Sequence, residues 1–279
     1  MSRRPSPPRR PKGRGGIPPV RVLACALTAS ALLATAACSN DGDDDGGSSS
    51  ASDIAASPLA EESATPARLT EAGARAALIT PADIEDDWTQ VKDAATWRDS
   101  LLVGSVDVAD LLTAKTNAAD CQRLLDSLYS DDLLGKPSGA SALTGFEEGQ
   151  SRLLYQVAAY QRADLDASLA WLKSLPVKCD QFTATDSKGG RRTVQVIDSP
   201  PPEAGDARQG LRVTVKSTTS TLTLDVAAVR VGTDAITVTA GGLDGGETDS
   251  AEQAVKQGTQ RLKDVQAGRT PTANPGQFD

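Results

Sequence analysis

The chain has 279 residues, with 29 Lys and Arg against 37 Asp and Glu, no histidine, and only 3% aromatic residues. Without an imidazole there is no Ser-His-Asp triad, no Cys-His dyad and no histidine metal site, so most familiar hydrolase mechanisms are excluded. Carboxylate-pair chemistry survives that exclusion, yet Asp131-Asp132 and Glu147-Glu148 lie in turn-like surroundings and Asp249 to Glu252 has the spacing of a helix cap. All read as solvated surface groups, and no catalytic residue, metal or cofactor is expected.

The first 37 residues read as an export signal. Arg3, Arg4, Arg9, Arg10, Lys12, Arg14 and Arg21 precede an uncharged apolar run from Val22 to Ala37, which ends in Ala36-Ala37-Cys38-Ser39. Small residues before a cysteine suit cleavage at that bond, and the freed Cys38 thiol is then the site for a lipid anchor on the outer face of a membrane. Thr35 stands where a leucine is usual, which keeps simple secretion after Ala37 as an alternative. A permanent span is disfavoured, because 16 uncharged residues fall short of the roughly 20 that cross a bilayer. Cys25 follows Val22-Leu23-Ala24, but Pro18 and Pro19 occupy the place of its apolar segment, and neither arginine doublet is followed by the apolar residues of a twin-arginine signal.

Removing this segment takes 7 of the 29 basic groups and no acid, so the mature chain carries 22 bases against 37 acids, a net charge of −15. Phosphate backbones and anionic head groups repel such a chain, which argues against nucleic acid as a partner. Residues 38–66 are rich in Asp, Gly, Ser, Ala and Glu and read as a tether. Asp41, Asp43, Asp45 and Gly46 copy the opening of a calcium loop, but Ser52 takes the place of the bidentate glutamate.

Residues 67–268 are long enough for one domain, followed by a tail over 269–279. Thr70 to Ile79 reads as a helix. Thr80-Pro81-Ala82-Asp83 restarts one, with Thr80 as N-cap, Pro81 at the first helical position and Asp83 at the positive end of the dipole. Cys121, Leu124, Leu125, Leu128 and Tyr129 share one stripe of a helix over Asn117 to Ser130. With Cys25 cleaved and Cys38 acylated, Cys121 and Cys179 are left in an oxidising compartment and predict one disulfide, worth roughly 4 kcal/mol in the loop-entropy model. Two separate buried thiols are the alternative.

Ala140 to Phe146 and Arg152 to Tyr160 read as strands, and Leu165, Leu169 and Leu172 mark a helix ended by Pro176. Strands then dominate. Gln181 to Thr185 and Arg192 to Ile197 flank the turn Ser187-Lys188-Gly189-Gly190, while Leu211, Val213 and Val215 alternate with Arg212, Thr214 and Lys216, leaving one face wet. Leu222 to Val231 and Ala235 to Thr239 flank Gly232-Thr233-Asp234, and a closing helix runs along Ala251, Ala254, Val255, Leu262 and Val265. The sum is an α+β fold, a mainly antiparallel sheet packed with helices, each strand carrying one apolar face.

Leu78-Ile79-Thr80-Pro81-Ala82-Asp83-Ile84, the helix bearing Cys121, the helix before Cys179, the strands around Val229 and Ile236, and the Ala-rich closing helix together resemble the PknH-like extracellular sensor domain. That domain is found on actinobacterial kinases and on surface lipoproteins. The resemblance implies a ligand-binding or sensing module, although members often carry two disulfides where only Cys121 and Cys179 stand here. A carrier of lipid or other hydrophobic cargo is the second reading, and a histidine-independent enzyme the third. Trp88, Trp97 and Trp171 offer a stacking platform for a cell-wall sugar, against which Trp171 beside Leu169 and Leu172 reads as core or rim. The extracellular ligand itself is unknown from sequence.

Overall fold

The computed structural model describes residues 68–84, 87–97, 102–103, 106–107, 111–130, 132–243 and 249–272. Cys25, Cys38, the tether with its aspartates, and Asp131 lie outside these residues. The helices are α1 (Glu71–Ala76), α2 (Ala94–Trp97), α3 (Ala119–Ser130), α4 (Arg162–Lys178) and α5 (Asp249–Gln266). Early strands are the short β1 (Thr89–Gln90), β2 (Leu102–Val103) and β3 (Val106–Asp107), then the hairpin β4 (Ser141–Glu148) and β5 (Ser151–Ala159). After α4 come β6 (Gln181–Thr185), β7 (Arg191–Asp198), β8 (Ala207–Lys216), β9 (Thr221–Val231) and β10 (Asp234–Leu243).

Eight strands form one antiparallel sheet in the order β1-β4-β5-β10-β9-β8-β7-β6, while β2 and β3 pair separately. The α+β class read from the sequence is the class observed. Its topology is two meanders, β4-β5 and β6 to β10, closed by pairing Ile236 of β10 with Val157 of β5. The helix α4 carries the chain from one meander to the far edge, where Thr185 of β6 exchanges backbone hydrogen bonds of 2.8 Å with Lys115.

The layering departs from the expectation of one apolar face per strand. Leu222, Leu224, Val226 and Ala228 of β9 point into a core with α3 and α4, whereas Ala227, Val229 and Val231 of the same strand point into a second core with α1 and α5. A central strand covered on both sides has no wet face, so its sequence reads as a near-continuous apolar run. In α3 the stripe places Cys121, Leu124, Leu125 and Leu128 in the first core, each leucine contributing about 1.5–3 kcal/mol by burial.

Two helix boundaries also differ from the sequence reading. Pro176 does not end α4, which continues to Lys178, and the Cys179 amide still donates to the Leu175 carbonyl at 2.7 Å. In the last turn a proline removes a single ladder bond, a small loss beside the burial of Leu172 and Leu175. The N-terminal helix is shorter than predicted, with Thr70 as its cap: the Thr70 hydroxyl accepts from the Gly73 amide at 3.0 Å. Pro81–Asp83 forms only a turn of 3-10 helix. There Thr80 holds the N-cap position, but its amide and hydroxyl both donate to Asp83 Oδ2 at 2.8 Å, and Asp83 is buried instead of lying at an exposed helix end.

Candidate functional site

On the face of the sheet that meets α5, the helix covers β5, β10 and β9 and leaves β6, β7 and β8 uncovered among the described residues. The wet face read for β8 is this one. Gln181, Gln195, Thr214 and Thr223 line up across four strands, and the next rank toward the loops is Ile197, Arg212 and Asp225. Ile197 is 43% exposed, a large apolar side chain left in water.

A cleft forms at the step where α5 ends the cover. Its floor is Asp225, Val226 and Ala227 of β9 with Arg212 of β8; one wall is Ser199 to Pro202 and the other is Ala251, Glu252 and Val255 of α5. The proline wall lies against the sheet because Gly210 has no side chain: a Cβ there would run into the Ser199 carbonyl oxygen and lie 2.8 Å from Pro201 Cδ. The Ser199 amide donates to the Gly210 carbonyl at 3.2 Å. The opposite wall is fixed by Trp88, whose indole N–H donates to Ser250 Oγ at 3.0 Å at the start of α5.

Inside the cleft Arg212 grips Asp225 with both prongs of its guanidinium, Nε to Oδ1 at 2.8 Å and the terminal nitrogen to Oδ2 at 2.9 Å. Such a fork is geometrically specific, and it commits the Asp225 carboxylate to structure. Glu252 stands exposed at the rim, 3.9 Å from Lys256. The cleft therefore offers an apolar pocket of proline, alanine and valine beside a fixed ion pair, suited to holding part of a ligand and lacking a nucleophile with its base. Its room, about 70 Å³, is well below the roughly 300–1,000 Å³ of pockets that engulf small molecules. A larger depression of about 240 Å³ is lined by Arg123, Asp126 and Lys136, but it is an open surface, and Asp126 is held by Lys115 and Gln122 at 2.9 and 2.8 Å.

Cys121 and Cys179 form the predicted disulfide, with 5.6 Å between their Cα atoms and both residues buried. The bridge ties α3 to the end of α4. Beside it, Asp120 accepts from Lys178 Nζ at 2.9 Å and from the Trp171 indole at 3.1 Å, and Arg123 lies 3.8 Å from the centre of the Trp171 ring. The Lys178 hydrogen bond is the main cause that holds the Asp120 carboxyl below its ordinary range. These contacts make the site structural. Trp88 and Trp171 are both buried, in different cores, so they form no common exposed platform; the side chain of Trp97 lies outside the described residues. Glu147 sits on the edge of the β4-β5 hairpin, 3.6 Å from Arg152.

Sequence reasoning found the disulfide but missed the cleft. The one available signal was Pro200-Pro201-Pro202 next to an Arg212 and an Asp225 that a β8-β9 hairpin brings into register. Among the described residues no His, Cys, Asp or Glu cluster suits a metal ion, and no helix is long and apolar enough to cross a membrane. No family model matches the chain, and no curated protein matches it. Among solved structures, the chain is similar to the extracellular domain of PknH from Mycobacterium tuberculosis, at 12% identity over 71% of this chain and 98% of that one, with a TM-score of 0.44. It is also similar to a putative uncharacterized protein from Mycobacterium smegmatis, at 13% identity over 72% of this chain and 98% of that one, with a TM-score of 0.39.

Proposed function

We propose that this protein is a lipid-anchored extracellular lipoprotein that works as a ligand-binding or sensing module, tethered through an acylated Cys38 and contacting its ligand at the Pro201–Arg212–Val255 cleft. The observation that carries the binding part is the step on the sheet, where a well-packed helix stops and a polar, uncovered surface begins around a fixed Arg212–Asp225 pair. The anchoring part is supported by the small-residue end of the apolar run before Cys38, and the location by a buried disulfide, a bond that persists in oxidising compartments.

Two measurements test this. Cys38→Ala should move the protein from the membrane fraction into the medium or leave it unprocessed; wild-type protein in membranes with residues before Cys38 still attached overturns the anchor. Amide hydrogen exchange of the full-length protein with a muramidase digest of cell envelope should show protection at Ser199, whose three following residues are prolines without an amide hydrogen, and at 225–227 and 251–255. Protection absent from all three segments overturns the cleft as the contact site.

A further inference from the structure

The lining of the cleft limits what it can hold. Pro200, Pro201 and Pro202 of one wall have no amide hydrogen, so that wall presents carbon surface and no backbone donor. Ala251 and Val255 of the facing helix, and Val226 and Ala227 of the floor, have no polar side-chain atom. A polyol set between these walls would leave its hydroxyls without partners. A charged group fares no better, because Arg212 and Asp225 neutralise each other and Glu252 stands at the exposed rim beside Lys256. The room of about 70 Å³ takes one side-chain-sized group. Arg212 then decides which group. Its side chain keeps 43% of its surface exposed against 12% for Asp225, so the pair is covered at the carboxylate and open at the guanidinium. Nε and one terminal nitrogen are turned in plane to Asp225, and a planar guanidinium fixed in this way offers its flat face, which stacks on aromatic rings. The fold already makes such a contact where Arg123 lies 3.8 Å from the centre of the Trp171 ring. At Arg212 no aromatic side chain of the described lining takes that place.

We infer that the cleft receives an aromatic side chain from an extended segment of a partner polypeptide; the inference rests on the cleft as the binding site and names its ligand. The ring lies with one face on the Arg212 guanidinium and its edge among Pro201, Val226 and Val255. An aliphatic side chain fills the same room but draws nothing from the guanidinium face. The source is a polypeptide and not a free aromatic compound, because the cleft opens onto groups that suit the residues beside the ring. Ile197 pairs with Arg212 across β7 and β8 and is 43% exposed, an apolar contact for a neighbouring side chain. The next rank holds Gln195, Thr214 and Thr223, whose amide and hydroxyls donate to and accept from backbone groups of an extended chain. A free ring reaches none of these, and a whole small ligand needs several times the room.

The test is a magnetic-resonance titration of the full-length protein with blocked peptides of sequence Gly-X-Gly-Val-Gly, where X is tryptophan, phenylalanine, leucine or cyclohexylalanine, the last having the shape of phenylalanine without its π face. N-acetyltryptophanamide serves as the free ring. The tryptophan and phenylalanine peptides should shift the amides of 225–227 and 251–255, and should bind at least about threefold more tightly than the two aliphatic peptides and than the free ring. Arg212→Lys keeps a charge for Asp225 and loses the plane, so it should weaken the aromatic peptides by a similar factor and leave the leucine peptide unchanged. The comparison of phenylalanine with cyclohexylalanine uses the wild-type protein alone and stands if that variant fails to fold. No shift with either aromatic peptide, equal affinity for phenylalanine and cyclohexylalanine, or a folded Arg212→Lys protein that binds the aromatic peptides as wild type does overturns the inference; a free ring that binds as tightly as the peptides overturns the polypeptide as its source. Cleft protection by the envelope digest that persists while the aromatic peptides fail leaves the binding-module reading standing and removes this one alone.

Discussion

Arg261 of the closing helix reaches Asp83 of the Thr80–Asp83 turn, its terminal nitrogen 3.3 Å from Asp83 Oδ2, in a pair with side-chain exposures of 11% and 1%. The same guanidinium donates to the Ala76 carbonyl at 3.2 Å, so one side chain of α5 holds both the end of α1 and the turn that follows it. Asp83 Oδ2 also takes the Thr80 amide and hydroxyl. The pair is one of the ties between the start of the described domain and its last helix, beside the Trp88–Ser250 hydrogen bond and the shared apolar core.

Removing one partner leaves the other charge buried. Asp83→Ala should therefore cost about 3–5 kcal/mol, read as a lower denaturation midpoint at unchanged slope. Asp83→Leu with Arg261→Met should recover part of that loss, since neither charge is then buried; the Thr80 cap bonds remain lost. A double variant less stable than the sum of its single variants contradicts the pairing.

Tyr155 packs its ring against Gly258 in the middle of α5, and a Cβ at position 258 would meet the phenol oxygen and ring carbons. The Tyr155 hydroxyl donates to the Ala77 carbonyl at 3.3 Å, and burial, the main cause, pushes its pKa up. In an isolated helix alanine is favoured over glycine by about 1 kcal/mol. Here the order should invert. Gly258→Ala should destabilise by about 1–3 kcal/mol through overpacking, and a calorimetric gain in stability counts against this contact.

Local signals carried most of the fold into the sequence: the Cys121 stripe, the two turns at Gly189 and Gly232, and the alternation of Leu211, Val213 and Val215 all survive in the structure. Features that depend on distant partners did not. Nothing local to Asp83 marks it as buried, because its partner is Arg261, and nothing local to Gly210 marks it as the seat of the proline wall. Val226 and Ala228 belong to one core and Ala227, Val229 and Val231 to the other, a fact fixed by which helices return over the sheet. The cleft is likewise assembled from β8, β9, a loop and α5, so no one stretch of sequence spells it out.

The disulfide closes a loop with a sequence separation of 58 and pins α3 against the end of α4. Cys121→Ala with Cys179→Ala should cost about 2–5 kcal/mol, measured by denaturant unfolding without reductant. Thiol titration of the unfolded, unreduced protein should find neither cysteine free. Full stability in the double variant removes the structural role.

Asp234 opens β10 with a buried carboxylate, and its main environmental effect is desolvation, which raises its pKa; the Gln266 side-chain amide donates to Oδ2 at 2.8 Å and offsets part of that rise. The same amide donates to the Val231 carbonyl at 3.0 Å, so Gln266 clasps the β9-β10 turn to the end of α5. A folded-state pKa above the unfolded one means that the folded protein binds the proton more tightly. The contribution to stability is then full below the unfolded value and is lost as pH rises through the folded value. Asp234→Asn keeps an oxygen to accept from Gln266 and removes the charge. The variant should be more stable than wild type at pH 7, and the difference should shrink as pH falls through the folded pKa and vanish below the ordinary carboxylate range. Melting curves of both proteins between pH 3 and 8 read this directly, and a wild type that is the more stable protein at pH 7 rules out desolvation as the dominant effect at Asp234.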